Sequence, residues 1–290
     1  MTEKELFSVV GIRDGQAAVS SGKKARKAMP YLSLFLLAVI LLGCLFAELI
    51  MTRDPSYLDL ANSTQGPSTE FLFGTDTLGR DIFSCIWYGG RISLLIGFLA
   101  TLLSTLIAVV YGSLSGVAPA WLDALLMRLD EIFLSVPSLL VVIFVQAALG
   151  KNGIWSVSVA IGITTWCGIA KVVRTEVRQL RDSGYVVAAK LMGGGFFHIL
   201  RRHLAPNFIS SILFMVVMNV RSAIVMESTL SFMGMGLPLE TVSWGSMLSL
   251  AENAMLTGAW WIILIPGLFL VTVLMCLTNL GGWLQSRLRR

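Results

Sequence analysis

Two histidines, four cysteines and an arginine–glutamate pair inside an apolar run are the residues of this chain whose chemistry asks for a role. His198 and His203 stand five apart, whereas a helix that clamps a metal places its imidazoles at i and i+4, so the spacing predicts no metal site. Cys44, Cys85, Cys167 and Cys276 are scattered, three of them in apolar runs, and read as small apolar filler. No phosphate-cradling loop is present, because neither the lysine after Gly22 nor the one after Gly150 precedes Ser or Thr. HExxH, CxxC and GxSxG are missing too, and no nucleophile–base pair or metal motif supports a membrane-embedded hydrolase. Arg221 and Glu227 remain. A charge within a membrane span costs about 2.5–3.5 kcal/mol on insertion scales, and a separation of six does not let the two pair on one helix. With Asn219 they are the candidates for lining or gating a pore, and for Arg221 the rival reading is pairing with a partner subunit.

The elements that carry these residues follow from composition. Of 290 residues 56% are hydrophobic and 13% charged, with a mean hydropathy of +0.79. Soluble domains carry about 25% charged residues, so this is a polytopic integral membrane protein, all-α. Apolar stretches at 31–51, 92–118, 132–149, 154–170, 207–226 and 260–280 predict six transmembrane helices. A mixed tail, 1–30, precedes the first; that run is too long for a secretory leader and lacks a small-residue cleavage site. Gly112 and Gly116 form a GxxxG pair for close helix packing, and Trp260, Trp261 and Trp283 mark an aromatic belt.

Lysine and arginine orient the chain. With both termini cytoplasmic, inside segments hold seventeen of them, including the KKARK cluster at 23–27, and outside segments only Arg53, Arg80, Arg91 and Lys151. The net charge of +5 is thus a topology signal and not a nucleic-acid patch. The outside segments, 52–91 and 228–259, are acidic, and 228–259 has no Lys or Arg. Such a face either docks a soluble partner or is what the charge rule leaves behind.

The longest inside segment, 171–206, runs into the stretch YVVAAKLMGGGFFHILRRHLAPN (185–207). Val173, Val177 and Leu180 recur at helical spacing, with Arg174, Arg178 and Arg181 on another side. Gly193, Gly194 and Gly195 end that helix, FFHILRRHLA restarts as a short amphipathic one, and Pro206 reads as a break before the fifth span or its first turn. Ala188 and Ala189 are small enough to enter a partner's groove; the alternative is a helix lying on the membrane surface.

This stretch resembles the EAA loop of bacterial ABC-importer permeases, keeping Ala188-Ala189, Gly193 and Pro206 in their spacing. Val187 stands where the pattern has glutamate, His203 where isoleucine is usual and Ala205 where leucine is. FGTDTLGRDIFSCIWYGGRISLLIG (73–97), MRLDEIFLSVPSLLVVI (127–143), LSFMGMGLPLETVSWGSMLSLAENA (230–254) and the last span are similar to the second-permease class of the dipeptide, oligopeptide and nickel family. The resemblance implies a type I importer permease fold in the bacterial cytoplasmic membrane, 31–290 forming half of a pore with a second related permease. It implies two ATPase subunits that hold ATP and Mg, an extracytoplasmic binding protein, surrounding lipid and no cofactor on this chain. Tyr185, Val187, Ala188, Ala189, Gly193, Gly194, His203 and Pro206 would couple to the ATPase. Asp76, Arg80, Asp81, Phe232, Met233, Gly234 and Trp244 are the candidates for docking the binding protein. A di- or oligopeptide is the expected cargo, with nickel or a metallophore complex as the alternative. A secondary transporter, the reading from another class, would show an inverted repeat and broken acidic helices at the midplane, and neither is evident.

Overall fold

Asp81 sets the start of the long helix at the centre of the bundle. In the computed structural model, which describes residues 29–150, 153–238, 240–250, 254 and 258–288, its carboxylate accepts from the Ser84 backbone N–H at 3.1 Å and the Ser84 hydroxyl at 2.6 Å. That satisfies an orphan donor of the first turn. The helix, α3, therefore runs Ile82–Val117 and begins well before the span expected from 92. At about 1.5 Å per residue it exceeds the hydrocarbon thickness, so its first turns stand outside the bilayer core. Before it come α1 (Tyr31–Leu45) and the short α2 (Ala47–Ile50). Most of the tail expected over 1–30, with KKARK, lies outside the described residues, as do Lys151 and Glu252.

Two expected spans are bent. The third is divided into α4 (Ala120–Ser135) and α5 (Ser138–Leu149), which meet at 91°. Pro137 forces this, because its ring pushes Val136 out of the helical region to an extended ψ of 133°. The fourth divides into α6 (Ile154–Thr164) and α7 (Cys167–Leu180), meeting at 47°. There the Thr164 and Thr165 hydroxyls both donate back to the Ile161 carbonyl, at 2.8 and 3.0 Å, a pattern that bends helices.

Then follow α8 (Gly184–Leu191), α9 (Phe196–Ile199), a wide π turn at Leu200–Leu204 and α10 (Ala205–Phe232). The last three form one continuous helix from Phe196 to Phe232, so Pro206 is no break. The π turn makes this possible: the Ala205 N–H reaches back five residues to the Leu200 carbonyl, and the looser winding precedes the proline. α11 (Trp244–Ser249), capped by Ser243, and α12 (Trp261–Leu288) complete the order.

α3 is the axis of the bundle, and α6, α7 and α10 pack along it. They come close because side chains are missing where backbones meet. A Cβ on Gly112 would stand 2.5 Å from the Ala170 carbonyl oxygen, and one on Gly116 would stand 2.7 Å from Val177 Cγ1. Gly162 of α6 lies against the Ala100 carbonyl, and Gly97 against Ile224 of α10. Lipid tails are as apolar as leucine, so such close packing is the attraction available between spans. Replacing Gly112 by alanine is expected to cost the purified chain about 1–3 kcal/mol. Alanine at Gly267, where the added carbon meets nothing within 4 Å, is expected to be neutral or to add about 0.5–1 kcal/mol. Denaturant titration in bicelles compares the two.

Candidate functional site

α8 leaves the bundle at its basic end with one side fastened and the other bare. Val186 and Ala189, three apart and so on one face, are buried with Val173, Val177, Ile199, Leu204 and Phe208. Tyr185, Val187 and Ala188 face outward, and Leu191 and Met192 are 84% and 81% exposed. The helix stops in a Schellman turn: the Gly194 N–H reaches the Ala189 carbonyl at 2.9 Å and the Gly193 N–H reaches that of Lys190 at 3.0 Å. Gly193 takes φ +81°, which only glycine adopts without strain. Gly194 is needed for a different reason, since a Cβ there would meet the Ala189 carbonyl oxygen at 2.8 Å. The candidates Ala189, Gly193 and Gly194 therefore shape α8, while Tyr185, Val187 and Ala188 present its surface.

The π turn also sets how the two histidines sit. It winds residues five apart onto one side, so the His198 and His203 rings sit edge to face with centroids 6.1 Å apart, and Tyr185 lies 6.2 Å from His203. Among the described residues no group of three His, Cys, Asp or Glu side chains gathers there.

A clamp at Asp123 ties α8's support to the rest of the bundle. Arg174 of α7 donates to both carboxylate oxygens, each at 2.5 Å, Arg178 adds a bond at 2.8 Å and Ser115 of α3 one at 2.6 Å. The Asp123 side chain is 8% exposed. Arg181 extends the row by donating to the Gly116 carbonyl at 3.2 Å. The arginine row is visible in the sequence, but its acceptor is not, because Asp123 lies more than fifty residues away; the one signal is an isolated acid opposite a basic face.

Comparison with known proteins gives the family of the chain. Residues 108–290 match the family described as the binding-protein-dependent transport system inner membrane component. The chain belongs to that family. It is 36% identical to the dipeptide transport system permease protein DppC of Bacillus subtilis (strain 168) over 268 residues, 92% of this chain and 82% of that one. It is 38% identical to the oligopeptide transport system permease protein OppC of the same organism over 240 residues, 83% of this chain and 78% of that one. A chain of the MetNI methionine ABC transporter in inward-facing form shares the fold, with a TM-score of 0.54 at 16% identity, covering 71% of this chain and 97% of that one.

At the opposite end the permease is folded on itself, which corrects several docking candidates. Asp76 and Arg80 are 3% and 4% exposed. They pair at 2.7 Å while Asp76 also accepts from the Leu78 and Arg80 backbones. Asp81 is the α3 cap and accepts from the Thr52 hydroxyl at 2.7 Å. Trp244 is fully buried, its indole N–H donating to the Ile86 carbonyl at 3.0 Å. These four side chains hold the permease's own loops and present no surface to a partner. Phe232 and Met233, 56% and 47% exposed, and Gly234 with φ +73° do stand at the tip of α10.

The pore candidates separate as well. Glu227 lines no channel in the permease: it is fully buried, and Ser243, Ser231, Ser93 and Ser228 donate to it at 2.8, 3.0, 3.1 and 3.4 Å. It joins α10 to α3 and to the turn before α11. Asn219 donates to Ser104 at 2.9 Å and to Thr165 at 3.4 Å, fastening α10 to α3 and to the bend between α6 and α7. Arg221 alone of the three faces open space. For the clamp, Asp123→Ala strands two partly exposed guanidiniums and is expected to cost about 1–3 kcal/mol. Arg178→Ala, which leaves Arg174 in place, is expected to cost under about 1 kcal/mol. Thermal unfolding of the two variants measures the gap.

Proposed function

We propose that the chain is one permease subunit of an ATP-driven peptide importer, half of a pore completed by a second related permease. Two ATPase subunits on the cytoplasmic side would hold ATP and Mg²⁺, and an extracytoplasmic binding protein would deliver the peptide. The observation that carries the reading is α8: a short helix fastened by Val186 and Ala189, with the bare aliphatic side of Leu191 and Met192 turned away from the bundle. Names of relatives at 36% and 38% identity, a dipeptide and an oligopeptide permease, support peptide as the cargo.

The mechanism follows from what α8 is attached to. An ATPase groove that moves α8 moves α7 with it, because the two share one buried cluster. The Asp123 clamp then carries the displacement to α4 and α3 as a rigid-body tilt. Packed interfaces shift between discrete arrangements, so a small displacement at α8 can switch the access of the pore.

Expressed with its genomic neighbours, the chain is expected to co-purify with an ATPase and to support ATP-dependent uptake of a labelled dipeptide into proteoliposomes. Leu191→Asp is expected to lower ATPase retention about tenfold or more by placing a charge against an apolar groove. Gly193→Ala is expected to lower uptake about fivefold, since alanine resists the left-handed conformation. Gly195→Ala, at φ −69° with nothing near the added carbon, leaves uptake unchanged. Absence of any co-purifying ATPase sinks the importer reading.

A further inference from the structure

Among the described residues Arg221 is a span charge that stands without a counter-charge. Neighbouring charges are taken: Glu48 by Arg91 at 2.9 Å, Asp130 by Lys171 at 3.1 Å and Glu227 by its serines. Among the described residues Arg221 makes no ion pair, and its Nε is buried without a hydrogen-bond partner. By helical rise it lies about 17 Å from the Phe232 end of α10 and about 24 Å from the Ala205 end, inside the apolar run of the fifth expected span. Lipid offers nothing to a guanidinium at that depth.

Two grooves meet at this residue. One, of about 340 Å³, runs along α10 past Ser222 and Thr229 towards Leu139. The other, of about 350 Å³, lies between α10 and α12 and passes Thr278 and Asn279. Their walls are apolar with a few polar groups, and their size is that of a small-ligand site, about 300–1,000 Å³. The walls that these grooves share with Arg221 also carry Ser222, Thr229, Thr278 and Asn279, the last of which donates to Ser33 at 3.0 Å.

We propose that Arg221 is the point inside the membrane where the permease recognises the carboxylate of its cargo, which makes the cargo class peptides with a free C-terminal carboxylate. This rests on the peptide-importer reading and narrows it. The planar fork of a guanidinium matches a carboxylate with two parallel hydrogen bonds. In a low-dielectric groove an uncompensated positive charge draws an anion and repels a cation, so a bare divalent metal ion is disfavoured on the same path.

Binding of a radiolabelled alanine dipeptide and of its C-terminal amide to the complete permease–ATPase complex in nanodiscs tests this. The wild type is expected to prefer the free acid by about tenfold. Arg221→Gln is expected to remove the preference by weakening the acid and leaving the amide unchanged, and Arg221→Lys to keep part of it. Equal binding of acid and amide by the wild type overturns the proposal, as does a preference that survives in Arg221→Gln. A loss of the partner permease on purification of Arg221→Gln, with both ligands weakened alike, also overturns it and assigns the arginine to an inter-subunit ion pair. Wild-type uptake of dipeptide into proteoliposomes is read separately. Uptake without any Arg221-dependent preference ends this inference and leaves the importer reading standing, whereas no uptake ends both.

Discussion

The close approach of α3 to α6, α7 and α10 is the constraint on which the rest of the permease depends. In a membrane no hydrophobic force presses helices together, so their association rests on van der Waals packing and on hydrogen bonds between polar side chains. Glycines at 97, 112, 116 and 162 remove the side chains that would hold the backbones apart. Because α7 lies so near α3, its arginines come within reach of Asp123 and the Gly116 carbonyl. Because α7 is held there, its valines present a fixed platform for Val186 and Ala189 of α8. One set of missing methyl groups thus supports the whole chain of contacts from the bundle axis to α8.

The two ends of the bundle use their polar residues in opposite ways. At the basic end the arginines are partly exposed, and α8 keeps one apolar side uncovered. At the other end the carboxylates are spent internally, on a helix cap, a buried ion pair and a cage of four serines. A buried carboxylate that accepts four hydroxyl bonds has its lone pairs satisfied and can hold three segments in register. One end is thus internally bonded, while the basic end keeps an unfilled surface. Arg221 belongs to neither pattern, since it lies between the ends and has neither a cap nor a cage.

Much of this was legible in the residues. Composition gave an all-helical membrane protein, and its membership in the transport-component family agrees with the motif blocks at 127–143, 185–207 and 230–254, which lie within the matched residues. The glycines after α8 were read as its end, and the structure adds that Gly193 supplies the left-handed turn while Gly194 makes room for a carbonyl. What was not legible concerns partners distant in sequence. Asp76, Arg80, Asp81 and Trp244 looked like surface candidates because charge and aromaticity are also what surfaces show; only the folded loop reveals that their hydrogen bonds are already made.

By itself the sequence determined the properties that depend on one residue or on near neighbours: which stretches prefer lipid, which end is basic, where a glycine must turn the chain. Tertiary structure alone decided whether a polar side chain is free or consumed. The pairing of Asp123 with Arg174 and the serine cage around Glu227 depend on what lies opposite in space. Glu227 and Arg221 are the clearest case. Six residues apart on one helix, they look alike as membrane charges, yet the helix turns one into a ring of serines and the other into an open groove. A charge at low dielectric takes its meaning from its neighbours, and those neighbours come from other helices.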